Sequence, residues 1–78
     1  MPTNLEIRRQ VGSRIRVRRV EVGLSQQELA DAVGADQTQV SAWENGRRVL
    51  RIEDAMAIAK VLECKVSHLT GEEPRIAA

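Results

Sequence analysis

Uncharged polar side chains that could bind another macromolecule are concentrated in one segment of this 78-residue chain. From Leu24 to Gly46 the sequence reads LSQQELADAVGADQTQVSAWENG, which holds four glutamines and the single aromatic residue, Trp43, but no lysine or arginine. Amides, hydroxyls and methyl groups can read base edges in the major groove of DNA. The same groups also suit a protein–protein contact, and the segment alone leaves both readings open.

Helical periodicity sorts this segment into two faces. With residues 36–45 placed at intervals of 100°, Val40 and Trp43 lie together on one side, which predicts an inward face. The opposite stripe is short-chained and uncharged, and it consists of Thr38, Ser41, Ala42 and Asn45. Because a solvated helix face usually carries charged residues, we expect this stripe to approach another surface closely.

Start and stop signals predict five helices and no strand. Their predicted spans are residues 4–22, 25–34, 36–45, 52–62 and a short helix after Ser67 that closes at Gly71. Capping pairs are predicted at three starts, Thr3 with Glu6, Ser25 with Glu28, and Asp36 with Gln39. The inward stripe of the fourth helix is predicted to be Ile52, Ala55, Met56, Ala59 and Leu62.

The second and third helices are separated by only Gly34 and Ala35. So short a connection containing glycine predicts a tight helix-turn-helix, although a plain helical hairpin has the same pattern. Glu44 falls about 40° from Val40, on the inward side, where an unpaired carboxylate would be costly. Since Arg19 continues the apolar stripe of the first helix, we infer an Arg19–Glu44 ion pair; the alternative is that both side chains extend to water.

Composition narrows the function classes. One Cys and one His exclude an intramolecular disulfide and a Cys/His metal site within one copy, and we expect Cys64 to be a buried structural thiol. No cofactor motif, nucleophile–base pair or carboxylate dyad is visible, so an enzyme is not expected, and His68 stands alone. Neither a membrane span nor a secretory signal is present, which predicts a soluble cytoplasmic protein without a membrane partner.

Charge is unevenly distributed, although the formal net charge is only +1. Residues 1–23 carry six arginines against two glutamates, residues 24–45 carry four acids and no base, and Arg47, Arg48 and Arg51 follow. We expect Glu28 and Asp36 to cap helices, Glu44 to pair inward, and Arg47 and Arg48, with Arg51 as a further candidate, to reach phosphates. An ordinary solvated surface has the same composition.

Residues 11–71 resemble the lambda-repressor-like DNA-binding domains of the Cro and xenobiotic-response-element type. The resemblance rests on VGSRIRVRR, LSQ, ELA, Gly34, VSxWENG, IAKxL and VSxLTG at their positions in this sequence. It departs from the family pattern at Arg18, where an apolar residue is common, at Glu63, where a helix-ending glycine is common, and in the loop at 47–51, which lacks a proline.

The resemblance implies a compact all-α five-helix domain that places helix 36–45 in the major groove. Base-reading positions are then Gln37, Thr38 and Ala42, with Ser41 beside them, and Gln26 contacts a phosphate and braces Gln37. The resemblance also implies that Ser25, Gln26, Asn45, Arg47 and Arg48 contact the DNA backbone. A buried ion pair matching Arg19 and Glu44 is a feature of the family.

The resulting hypothesis is a helix-turn-helix domain over residues 1–71 with a flexible tail at 72–78. We expect a transcriptional repressor that binds a palindromic operator in double-stranded DNA as a homodimer. When bound, it would be associated with the nucleoid. Val66, Leu69 and Ile76 are candidates for the dimer surface, although Leu69 equally suits the core. The alternative is a helical protein-interaction module, or a DNA-binding antitoxin that acts mainly through a protein partner; an effector, if one exists, is expected to be a protein.

Overall fold

Residues 3–71 are described by the computed structural model, and the tail expected at 72–78 lies outside them. The described residues form five α-helices: α1 Asn4–Val22, α2 Gln26–Val33, α3 Gln37–Glu44, α4 Ile52–Val61 and α5 Val66–Thr70. The predicted all-α, five-helix architecture is therefore confirmed. Within this part of the chain, no helix has the length and apolar character needed to cross a bilayer.

Reciprocal side-chain caps determine where α2 and α3 begin. Ser25 Oγ accepts a hydrogen bond from the Glu28 amide at 3.0 Å, and the Glu28 carboxylate accepts one from the Ser25 amide at 2.9 Å. Asp36 and Gln39 make the same exchange at 2.8 and 3.1 Å. The hydrogen bond from the Ser25 backbone lowers the pKa of the Glu28 carboxyl. The stability that it contributes is thus present above the ordinary pKa of a glutamate and is lost as pH falls through the lowered value.

The turn between α2 and α3 requires glycine. Gly34 has φ +73°, in the left-handed region that glycine enters without steric penalty. The next amide, that of Ala35, donates to the carbonyl of Ala30 at 2.9 Å, which closes the end of α2. Because Asp36 already caps α3, the chain reverses within three residues and brings the two helices into contact.

One apolar core joins all five helices. Its buried members are Ile15, Leu29, Ala30, Val40, Trp43, Ile58, Ala59, Leu62 and Leu69. Trp43 is 5% exposed, so the inward orientation predicted for it is confirmed. Leu69 is fully buried, which assigns it to the core rather than to a surface contact. Ile76 lies outside the described residues.

The predicted inward stripe of α4 is confirmed at Ala55, Ala59 and Leu62 and is wrong at Ile52 and Met56. Ile52 and Met56 are 61% and 59% exposed, whereas the buried residues of this region are Ala55, Ile58, Ala59 and Leu62. Both sets satisfy the same helical spacing of i, i+3, i+4 and i+7, so periodicity cannot choose between them. Contacts with α2 and α5 make the choice. α5 also begins earlier than predicted, with Lys65 rather than Ser67 as its N-cap.

Two departures from the family pattern lie next to each other at the end of α4. Glu63 has φ +53°, the left-handed conformation that a glycine usually supplies at this point. The guanidinium of Arg18 donates to the carbonyl oxygens of Leu62 at 2.9 Å and Glu63 at 3.3 Å. A cation at a helix C-terminus also interacts favourably with the helix dipole. Arg18 therefore holds the end of a helix that lacks its usual glycine.

Replacing Glu63 by glycine should stabilise the protein by about 0.5–1 kcal/mol, because a side chain in the left-handed region costs roughly that much or more. The measurement is the free energy of unfolding from urea denaturation. Glu63→Ala is the matched control, since it also removes the carboxylate but keeps the Cβ and should give no gain. Equal stability of the glycine and alanine variants would show that this backbone is not strained.

Candidate nucleic-acid interface

The outward face of α3 is uncharged and accessible. Gln37 and Thr38 are exposed, and Ser41 and Ala42 are half-buried. These four side chains line one shallow concavity together with Gln26 from α2 and Arg47 from the loop after α3. The structure thus brings all four predicted base-reading residues together, with a single cation at their edge. We call this surface, formed by Gln26, Gln37, Thr38, Ser41, Ala42 and Arg47, the α3 face.

A chain of polar contacts runs from the interior to the start of α3. Gln26 Nε2 donates to Glu44 Oε1 at 3.2 Å, and Gln37 Nε2 donates to Gln26 Oε1 at 3.5 Å, the outer limit of a hydrogen bond. Gln26 therefore has its amide orientation set by Glu44, and its amide oxygen contacts Gln37. Each glutamine keeps a second amide hydrogen for a ligand.

Arg19 and Glu44 form the ion pair at the inner end of this chain. Arg19 Nε and Nη2 donate to the two oxygens of the Glu44 carboxylate at 2.7 and 3.1 Å, and Nη1 donates to the Leu24 carbonyl at 2.7 Å. The Glu44 side chain is 2% exposed and that of Arg19 is 11% exposed. The hydrogen bond to Glu44 raises the pKa of Arg19 above its ordinary value. This forked pair ties α1 to both helices of the helix-turn-helix.

Gly12 determines how closely α1 approaches α3, a role that sequence reasoning missed. A Cβ added at Gly12 would lie 2.3 Å from the Trp43 carbonyl oxygen and 2.5 Å from that of Glu44. The backbones of α1 and the last turn of α3 are therefore in direct contact. The only sequence signal was a glycine inside a strongly helical segment, where it costs up to about 1 kcal/mol relative to alanine.

Two predicted backbone-contacting residues, Ser25 and Asn45, flank the α3 face. Asn45 Nδ2 donates to the Ser41 carbonyl at 2.8 Å and to Ser41 Oγ at 3.4 Å. Ser25 Oγ accepts from the Glu28 amide, so its own hydroxyl hydrogen can still be donated. Both side chains are exposed, and the Ser25 hydroxyl can donate to an anion while it caps α2.

The two arginines after α3 lie in different places. Arg47 lines the α3 face, and its amide donates to the Ala42 carbonyl at 2.9 Å. Arg48 lies beside Trp43 and Val49 and borders two other grooves, away from the α3 face. Of the two arginines, Arg47 is the one that joins the predicted reading residues.

This arrangement separates two kinds of contact. The centre of the α3 face offers amides, a hydroxyl pair and a methyl group without formal charge, which suits hydrogen bonding and close approach to base edges. Its rim offers one guanidinium and the N-terminus of α2, whose backbone N–H groups attract anions. Acids in the same segment serve the fold, since Glu28 and Asp36 cap helices and Glu44 is neutralised by Arg19.

A family model and a curated relative match the sequence of this chain. The HTH_3 helix-turn-helix model matches residues 15–69. An uncharacterized HTH-type transcriptional regulator of Sinorhizobium medicae is 33% identical over 64 residues, which are 82% of this chain and 46% of the relative. The chain thus spans about half the length of this curated relative.

Two solved structures are similar over most of the chain. The restriction-modification controller protein C.AhdI from Aeromonas hydrophila has a TM-score of 0.82 and 28% identity, over 87% of this chain and 99% of that one. The P22 c2 repressor in complex with a synthetic operator has a TM-score of 0.75 and 30% identity, over 81% of this chain and 96% of that one. The predicted lambda-repressor-like fold is therefore confirmed.

Proposed function

The chain belongs to the HTH_3 family of helix-turn-helix DNA-binding transcription regulators, and from this premise we propose that it represses transcription by binding an operator sequence specifically. In this proposal α3 enters the major groove and its uncharged face reads base edges. Binding across a promoter then excludes the transcription machinery. Its place of action is accordingly the nucleoid.

The observation that supports this proposal most directly is the composition of the α3 face. Gln37 and Thr38 are exposed at the start of α3, and Gln37 is supported by Gln26. Glutamine can bind adenine in a bidentate manner, and the methyl groups of Thr38 and Ala42 suit the methyl of thymine. Ser41 adds a hydroxyl beside them. A side chain held in place from behind discriminates bases better than a mobile one, because less of its rotamer freedom is lost on binding.

In this proposal, residues at the rim of the α3 face contact the phosphates. Ser25, Gln26 and the first amides of α2 would hold one phosphate region, and Asn45 with Arg47 would hold another. Arg48 would reach the DNA backbone only from the flank, since it borders different grooves. In this arrangement Arg47 contributes to the salt-dependent affinity, and the uncharged residues of the α3 face supply the sequence preference.

A homodimer on a palindromic operator extends the proposal, because one recognition helix reads few base pairs. Half-sites would then be about one turn of DNA, roughly 34 Å, apart. Val49, Ile52 and Met56 are 64%, 61% and 59% exposed, and such apolar side chains favour a protein contact over solvent. They support a dimer surface on the exposed side of α4.

Selection from a library of random double-stranded DNA tests the proposed function. The expected outcome is one enriched motif with two-fold symmetry, because each protomer would present one α3 to one half-site. Enrichment of a single half-site would retain DNA reading and reject the dimer. If no motif is enriched and binding to duplex DNA is absent, the alternative of a protein-interaction module replaces the repressor.

Replacing Gln37 or Thr38 by alanine should relax the preference for the selected operator by about 1–3 kcal/mol per lost base contact. The measurement is the ratio of affinities for the operator and for duplexes with single base changes. Gln27→Ala is the matched control, because Gln27 is an exposed glutamine of α2 whose amide donates to Asp31. An unchanged preference in both α3 variants would reject this face as the reading surface.

A further inference from the structure

We propose that Arg9 and Arg16 of α1 bind phosphates of the DNA that flanks the bases read by α3. This inference rests on the proposed function and extends it to a surface outside the helix-turn-helix. It starts from a feature of the sequence that the α3 face does not use, the six arginines of α1. Three of them donate hydrogen bonds to other segments, and the exposed three, Arg9, Arg14 and Arg16, lie on two different sides of the helix.

Arg8, Arg18 and Arg19 donate hydrogen bonds to other parts of the domain, and Arg14 packs near the end of α5. Arg19 pairs with Glu44, and Arg18 donates to the carbonyls at the end of α4. Arg8 Nε donates to the Gly46 carbonyl at 3.3 Å. The guanidinium of Arg14 lies against Gly71, where an added Cβ would be 2.9 Å from its Cζ.

Arg9 and Arg16 are the remaining two. Both are exposed, and neither makes a hydrogen bond or an ion pair within residues 3–71. Arg14 shares this property but lies about 140° from Arg9 around the helix. They are seven residues apart, so they share a face of α1 and are separated by about 10 Å along its axis. Two unpaired guanidinium groups on one face suit successive phosphates of a single strand.

The position of this face follows from its neighbours. Gly12, between the two arginines, contacts the carbonyl oxygens at the end of α3. The backbone nitrogen of Arg9 would lie 2.9 Å from a Cβ at Gly46, so Arg9 packs against the residue that precedes Arg47. The Arg9–Arg16 edge of α1 therefore borders the C-terminal end of α3.

Electrostatics favours a polyanion at this edge. Glu44, the nearest acid of α3, is already neutralised by Arg19. The positive charges of Arg9, Arg16 and Arg47 thus add to one another along the border of the α3 face, and like charges without acidic partners attract an extended anion. Flanking DNA supplies phosphates along this direction without any need for a particular base sequence.

The test is the salt dependence of binding to a duplex of about 40 base pairs of arbitrary sequence, measured by fluorescence anisotropy. Arg9→Gln and Arg16→Gln should each reduce the slope of log K against log salt by about one, and each should weaken binding about fivefold near 0.15 M salt. Arg14→Gln is the matched control, because it removes the same charge from the same helix about 140° away from Arg9. Its slope should equal that of the wild type.

Two further variants separate the possible failures. Arg9→Lys keeps the charge and should keep the wild-type slope, which distinguishes a phosphate contact from damage to packing at Gly46. Arg47→Gln reports on the proposed function alone. If Arg9→Gln and Arg16→Gln match Arg14→Gln while Arg47→Gln lowers the slope, this inference is wrong and the proposed function stands. If wild-type binding shows no salt dependence, both are wrong.

Discussion

Replacing Gly12 by alanine is expected to lower the free energy of unfolding by about 3 kcal/mol or more, the upper range for overpacking a close contact. The added methyl group would lie 2.3 Å from the Trp43 carbonyl oxygen and 2.5 Å from that of Glu44. Both obstacles are backbone atoms, which cannot rotate away as a flexible side chain could. α1 would have to move away from α3, which would separate Arg19 from Glu44.

Helix propensity makes the opposite prediction for the same substitution. Glycine to alanine within an isolated helix is stabilising by up to about 1 kcal/mol. The sign of the change therefore decides whether tertiary contact or local preference governs position 12. Thermal and urea unfolding monitored by circular dichroism provide the measurement.

The neighbouring Ser13→Ala substitution is the control for Gly12→Ala. Ser13 is exposed, so this change should alter the stability by no more than about 0.5 kcal/mol. A Gly12→Ala variant as stable as the wild type would show that α1 does not approach α3 as closely as described.

Replacing Arg19 by methionine is expected to cost about 3–5 kcal/mol, the usual penalty for leaving one partner of a buried ion pair alone. Methionine retains most of the apolar stem, so the change chiefly removes the guanidinium. The Glu44 carboxylate, at 2% exposure, would keep the Gln26 amide as its one remaining side-chain donor within the described residues. Urea unfolding gives the loss directly.

The double variant Arg19→Met with Glu44→Met identifies the source of that loss. An apolar pair of similar volume is often as stable as a buried ion pair, since no charge has to leave water. We expect the double variant to recover most of the stability but not all of it, because the Leu24 carbonyl also loses its 2.7 Å donor. A double variant as unstable as Arg19→Met would attribute the loss to that carbonyl instead.

Loss of Glu44 should also affect the α3 face. Glu44 accepts from Gln26, which accepts from Gln37, so the double variant removes the innermost anchor of this chain. Its fold would be restored while the orientation of Gln37 would not. The ion pair thus serves two purposes, joining α1 to the helix-turn-helix and holding the first residue of α3 in position.

Local chemistry made much of this protein predictable. The start of α2 at Ser25 and that of α3 at Asp36 follow from side chains that bond to backbone amides three residues away, and Gly34 closes α2 by itself. The exposed stripe of α3 follows from its angular spacing and its lack of charge. Each of these features depends on residues within a few positions of one another, so it can be predicted from the order of the residues.

Other features depend on distances between helices, and these cannot be predicted from the spacing of residues along one helix. The apolar stripe of α4 fits two phases equally well, and only packing against α2 and α5 leaves Ile52 and Met56 outside. Arg18 was visible as an unusual residue, but its role required knowing that the end of α4 lies within reach. Arg47 and Arg48 are neighbours in sequence, and the backbone path of their loop sends them to different surfaces.

The five helices and the helix-turn-helix follow from the order of the residues, because caps, glycine turns and helical periodicity act over a few positions. Which charges hold the fold and which stay exposed depends on how the helices pack. Six arginines share one helix, and their roles differ because carbonyls or a carboxylate from other segments accept hydrogen bonds from Arg8, Arg18 and Arg19 and not from Arg9 or Arg16. Burial and pairing are properties of the assembled helices, since both require atoms that are far apart along the chain to come within a few ångströms.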